Sequence, residues 1–178
     1  YATSVDIAGA AVDNKLQLGD NTVVGGDIIA SNANGIIQVK GTSTITGGIG
    51  IGANPINSLV FDTDGKTLNV GGALIRTANG ISFANTGTLN LTGKADTTIT
   101  SKITTGGADR GTIIADTIGA AGKKLTIAGV STGVHGNSML LIQMHGGGTL
   151  ELAPTGGGAN GAFVKDIDMT GGDGTLAL

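Results

Sequence analysis

Cysteine and tryptophan are absent from this 178-residue chain, proline occurs twice, and aromatic residues make up 2% of it. Without cysteine there is no disulfide and no thiolate site. The compartment stays open, because bacterial surface proteins that avoid thiols share this lack with cytosolic proteins. Scarce aromatics exclude a core built on large rings, so apolar burial must come from Leu, Ile, Val and Ala. Charge is sparse too. Charged residues are 13% of the chain, the formal net charge is −3, and Lys and Arg stand singly except at Lys123-Lys124. No basic stripe exists for a phosphate backbone, so no nucleic-acid partner is expected. No apolar run approaches the ~18 residues that a membrane-spanning helix needs. The chain opens at Tyr1 without a charged-then-apolar leader, and Gly174-Thr-Leu-Ala-Leu178 reads as a strand with no polar cap after it. A piece of a longer chain is the expectation.

Glycine, by contrast, is plentiful at 34 residues, without the strict every-third spacing of collagen. Hydrophobic residues at 39% against 13% charged reverse the signature of disorder. One folded domain over residues 1–178 is expected.

A short phrase recurs along the chain: Lys15-Leu-Gln-Leu-Gly19, Thr67-Leu-Asn-Val-Gly71, Thr88-Leu-Asn-Leu-Thr92, Lys124-Leu-Thr-Ile-Ala128, Thr149-Leu-Glu-Leu-Ala153 and Thr175-Leu-Ala-Leu178. Alternation with period two puts both aliphatics on one face of a strand and the polar residue on the other. Further short β-branched runs lie between them, such as Ile36-Ile-Gln-Val39, Ser58-Leu-Val-Phe61, Thr97-Thr-Ile-Thr100, Met139-Leu-Leu-Ile-Gln143 and Ala162-Phe-Val164, bounded by Gly, Asn or Asp. Thr112 to Ala121 is the one stretch with a helical reading, and its Thr-Ile pairs favour strand.

Taken as a ruler, the first aliphatics at Leu68, Leu89, Ile113, Leu125, Leu150 and Leu176 are mostly separated by low-to-middle twenties, with Leu16 and Ile36 standing similarly apart upstream. The short step from Ile113 to Leu125 puts these two on different faces of one rung. Rungs of this length predict an all-β, right-handed parallel β-helix of about seven to eight rungs, roughly 35 Å long at the ~4.8 Å strand spacing. Asn34-Gly35, Asn79-Gly80 and Asn160-Gly161 are also preferred hairpin turns, so antiparallel meanders, barrels and sandwiches compete with the solenoid. Gly129 to Asn137 and Pro154 to Gly161 are the longest loop candidates, and such projections usually carry binding.

Motifs with chemistry are few. Gly48-Ile-Gly-Ile-Gly-Ala53 satisfies a dinucleotide-binding pattern, but Asn54-Pro55 follows where a helix must start, so glycine-lined corners explain it. Gly122-Lys123 lacks the flanking residues of a phosphate loop. Gly171-Gly-Asp-Gly-Thr175 approaches a calcium-binding nonapeptide but has Leu176 at the ligand position, and Asp62-Thr-Asp-Gly65 lacks the remaining oxygen ligands of a calcium loop. His135 and His145 flank an apolar strand with Ser138 between them, without an evident acidic cluster for metal or triad chemistry. Asp27, Asp62, Asp64, Asp166 and Asp168 would need to face one another on adjacent rungs to act on a glycosidic bond, Glu151 being the only Glu. Thr44-Ile-Thr46 and Thr98-Ile-Thr100 resemble the threonine ranks of ice-binding solenoids but are two isolated instances. No catalytic, cofactor-binding or metal-binding residue is therefore nominated, no cofactor is expected, and the chain reads as a non-enzyme.

The strand-Gly-Gly-strand units Val23-Val-Gly-Gly-Asp-Ile-Ile29 and Thr44-Ile-Thr-Gly-Gly-Ile-Gly50, with Leu59-Val-Phe-Asp-Thr-Asp-Gly-Lys-Thr-Leu-Asn-Val-Gly71 and Gly87-Thr-Leu-Asn-Leu-Thr-Gly93, resemble the passenger regions of bacterial autotransporters. The closest resemblance is to the rickettsial surface cell antigens of the outer membrane protein A and B group. It implies a rod exported through a C-terminal β-barrel, which this chain does not include, and displayed on the bacterial cell surface, attached to the outer membrane or secreted. There it would adhere to a host-cell surface protein and promote entry. The competing expectation is a surface-layer or fibre subunit whose strand edges, at Ile7 to Ala11 and Leu176 to Leu178, pair with copies of itself. A polysaccharide-acting β-helix enzyme comes third.

Overall fold

The computed structural model describes residues 4–7, 14–106, 111–129, 140–153 and 166–178. The expected strand at Ala162-Phe-Val164, residues 130–137 and 154–161 of the two loop candidates, His135 and Ser138 lie outside the described residues.

Short alternating runs become strands, and glycine-rich links become corners. β1 (Ser4–Asp6) precedes a first turn made of β2 (Lys15–Leu18), β3 (Val23–Val24) and β4 (Asp27–Ile29). The second turn has β5 (Ile36–Val39), β6 (Ser43–Ile45) and an isolated bridge at Ile49. The third has β7 (Ile56–Phe61), β8 (Lys66–Val70) and β9 (Leu74–Ile75), and the fourth β10 (Thr77–Phe83), β11 (Gly87–Leu91) and β12 (Thr97–Ile99). In the fifth, β13 (Ile103–Thr105) and β14 (Gly111–Ile114) are followed by helix α1 (Asp116–Ala120) and β15 (Lys124–Ile127). Two faces continue through β16 (Leu140–Gln143) and β17 (Thr149–Leu152), then β18 (Asp166–Asp168) and β19 (Thr175–Ala177).

Strands stack into three parallel faces, in the orders β2-β5-β7-β10-β13 and β3-β6-β8-β11-β14-β16-β18, with the third running from β1-β4 through Ile28, Ile49 and Ile75 to β9-β12-β15-β17-β19. Every strand pair among the described residues is parallel. The protein is an all-β solenoid of about six turns, close to the seven to eight rungs expected. Asn34-Gly35, Asp64-Gly65 and Asn79-Gly80 turn no hairpins. The first precedes β5, the second links β7 to β8, and the third lies within β10, with Gly80 at φ +111°.

Inside, like side chains stack from turn to turn. Leu68, Leu89, Ile113 and Ile142 form one fully buried column, and Ile28, Ile49, Ile75, Ile99 and Ile127 another. Outward positions alternate with these, as in β11, where Gly87, Leu89 and Leu91 are buried and Thr88 and Asn90 half-exposed. The column Leu18, Val39, Phe61, Phe83 and Thr105 holds the two largest core side chains, whose rings stack with centroids 4.6 Å apart and 15° between planes. Room for them comes from the facing sheet. A Cβ on Gly87 would lie 2.8 Å from the Phe61 ring, and one on Gly111 2.8 Å from that of Phe83.

Register corrects the ruler in one place and bears it out in another. Leu16 pairs with Ile37, and Ile36 pairs with Lys15. Leu68, Leu89 and Ile113 share the second face, whereas Leu125, Leu150 and Leu176 share the third, which is the physical origin of the short step between Ile113 and Leu125. The stretch Thr112 to Ala121, expected to favour strand, divides into β14 and α1. Residues 115–123 cover a corner that 71–73 cover two turns earlier, and the surplus coils into one helical turn that buries Ile118 and Gly119.

Candidate functional site

Corners carry most of the ionisable groups, and there side chains supplement the backbone bonds between turns, such as Gly47 N–H to Gly26 O and Gly72 N–H to Gly47 O. An Asp carboxylate serves as acceptor for the next turn. Gly48 N–H donates to Asp27 Oδ1 at 2.6 Å, Thr42 N–H to Asp20 at 2.7 Å, Thr86 N–H to Asp64 at 3.1 Å and Lys124 N–H to Asp96 at 2.9 Å. The N–H bond from Thr42, followed by the Lys66 ammonium 3.2 Å away, holds the Asp20 carboxyl below its ordinary value. Lys40 pairs with Asp62 at the same corner of the next turn, and between strands Lys124 pairs with Glu151 at 2.9 Å, which lowers the Glu151 carboxyl and raises the Lys124 amine. Thr126 Oγ1 also donates to Glu151 at 2.9 Å.

Sequence candidates are thereby dispersed. Asp27 lies on the third face, Asp62 and Asp64 at the corner between the first two, and Asp166 and Asp168 on β18, where their register partners are Leu141 and Gln143. No two turns bring these carboxylates opposite one another. Gly48 to Ala53 forms a corner around the Ile49 bridge, with β7 following Pro55 and no helix, and Gly50 has φ +66° against the Arg76 carbonyl, where a Cβ would clash. Gly122 and Lys123 close the end of α1, where Lys123 N–H donates to Ile118 O at 3.0 Å. Thr44 pairs with Asn69 on the second face and Thr98 with Thr126 on the third, so the two Thr-Ile-Thr runs share no surface.

Two outward features escaped the sequence reading. The first is a rank of Thr67, Thr88 and Thr112 on the second face, beside Asn69 and Asn90, whose amides bond at 2.8 Å. Gln17 and Gln38 pair likewise on the first face at 3.1 Å. The second is His145. No acidic cluster was expected near it, yet two carboxylates from neighbouring turns flank its ring: Asp116 Oδ1 is 3.3 Å from Nδ1 and Asp168 Oδ2 is 3.2 Å from Nε2. His145 N–H also donates to Asp116 Oδ1 at 3.0 Å. The bond to Asp168, opposed by partial burial and reinforced by the charge of Asp116, raises the imidazole above its ordinary value of 6.5. Asp168 is lowered, first by the Thr170 N–H and then by the histidine. Asp116 stands one local turn length, 29 residues, before His145, whereas Asp168 is the register partner of Gln143 and reaches back to the ring from 23 residues on, a signal readable only once the register is known. The carboxylates lie against opposite ring nitrogens, and among the described residues no group of His, Asp and Glu converges on a metal position.

These features define a parallel β-solenoid with polar outward ranks and carboxylate-stapled corners. Comparison with protein-family models, with curated proteins and with solved structures found no match to this chain.

Proposed function

We propose that this chain is a segment of a cell-surface adhesin, an autotransporter-type passenger that attaches to host cells without catalysing a reaction. The observation that carries the reading is the use of the outer surface. Thr67, Thr88 and Thr112, Asn69 and Asn90, and Gln17 and Gln38 line up on successive turns, a repeated hydrogen-bonding surface on a stiff rod. Repeat scaffolds that expose one side-chain type at a fixed spacing are suited to extended, multi-point recognition. The resemblance to rickettsial surface antigens supports the same reading and supplies its location, the bacterial surface, and its partner, a host-cell surface protein.

Saturable binding of the labelled, purified chain to intact mammalian cells is the test, with light scattering after size exclusion on the same sample. A monomer that saturates the cells is expected. Absence of binding, together with a mass that grows with concentration, would replace this reading with a self-assembling fibre or surface-layer subunit.

A further inference from the structure

His145 follows β16, at the corner between the second and third faces, with a neighbouring turn on either side. Asp116 reaches it from α1 in the turn before, and Asp168 from β18 in the turn after. From its own turn the Gln143 amide lies 3.3 and 3.4 Å from the two ring nitrogens. The charged group sharing a groove with Asp116 is Lys94, from the corner after β11. A neutral imidazole has one N–H and one bare lone pair, so it donates to one carboxylate while its lone pair faces the other. The imidazolium donates at both nitrogens and satisfies both.

From this geometry we infer that Asp116, His145 and Asp168 form a protonation-dependent clasp that ties three consecutive turns together when the imidazole is charged and slackens when it is neutral. The Asp116 carboxylate keeps the His145 backbone N–H in either state, so the corner itself stays folded. When the ring is neutral it donates to only one of the two carboxylates, so the tie to either the turn before or the turn after is lost, and the Gln143 amide can donate to the bare nitrogen. The sign follows from the direction of the shift. A histidine raised on folding stabilises the fold fully below its unfolded value, and that contribution disappears as pH rises through the higher folded value. Mild acid therefore tightens this part of the rod, and neutral to alkaline pH loosens it.

The experiment is an NMR titration of the imidazole signals in the full chain between about pH 5.5 and about pH 8, with thermal melts across the same range. His145→Gln identifies the His145 signal against that of His135. Expected are a His145 midpoint above 6.5, a downward move of that midpoint in Asp168→Asn, and a higher Tm at the acid end that Asp168→Asn reduces. Asp168→Asn keeps the ring, the side-chain shape and the oxygen that accepts the Thr170 N–H, so it remains informative if His145→Gln fails to fold. A midpoint at or below the ordinary value, or one that Asp168→Asn leaves in place, would overturn the clasp.

Discussion

At the scale of single residues, the solenoid concentrates its demands on a few positions. Leu89 is fully buried between Leu68 and Ile113, and Leu125 between Thr97 and Leu150, so Leu89→Asp or Leu125→Asp buries a charge with no cation among its register neighbours. The expected outcome is a lowered thermal transition with local loss of strand signal, and a Leu125→Asp chain that melts like the parent would contradict the packing. Gly87 is a finer probe. Gly87→Ala meets the Phe61 ring at 2.8 Å and should destabilise the fold, by about 1–3 kcal/mol as overpacking does. Adding Phe61→Leu should recover part of that loss, whereas a simple propensity effect would leave the two changes additive in denaturant melts. Thr105 presents the opposite case, because its buried hydroxyl has no partner among the described residues and it continues the phenylalanine column. Thr105→Val should leave stability unchanged or raise it by about 1 kcal/mol, since no hydrogen bond is lost.

At the scale of elements, the links between turns are of two kinds with different responses to acid. Backbone ladders between strands are indifferent to pH, but the carboxylates that tie turns together, at the Asp20 corner and on β17 and β18, are not. Asp20, Glu151 and Asp168 all have lowered values in the folded chain. A carboxylate lowered on folding stabilises the fold above its unfolded value, and the contribution is lost as pH falls through the folded one. Stability should thus decline below the ordinary carboxylate values of 3.8 and 4.5 and the decline should be blunted in Asp20→Asn, measured as urea midpoints against pH. Strand existence was legible at this scale because Thr-Leu-Asn-Leu and its variants state an inside and an outside within four residues. Helix α1 was not. Its Thr117-Ile118 pair favours strand locally, and only the long corner between β14 and β15 forces residues 116–120 to coil.

For the whole molecule, three parallel faces around a narrow aliphatic interior give a rod in which each turn touches chiefly its neighbours. Such stacks behave as nearly one-dimensional systems, with stability summed from turn and interface terms. The seven strands of the second face would span roughly 29 Å at ~4.8 Å per step. Ending the chain after Ala153 removes β18 and β19 and should leave earlier turns folded, with circular dichroism per residue unchanged. A collapse of the whole β signal would show that cooperativity extends across the rod. The sequence alone determined an all-β chain with glycine-rich links and an aliphatic core and favoured the solenoid over antiparallel folds, because inside-outside alternation and glycine placement act within a few residues. Only the tertiary structure decided which repeats share a face, that Leu16 stacks on Ile37 with Ile36 beside Lys15, and that Asp116, His145 and Asp168 meet. Corner lengths vary from turn to turn, so register is settled by the packing of whole turns on one another, and proximity across turns cannot be read from local pattern.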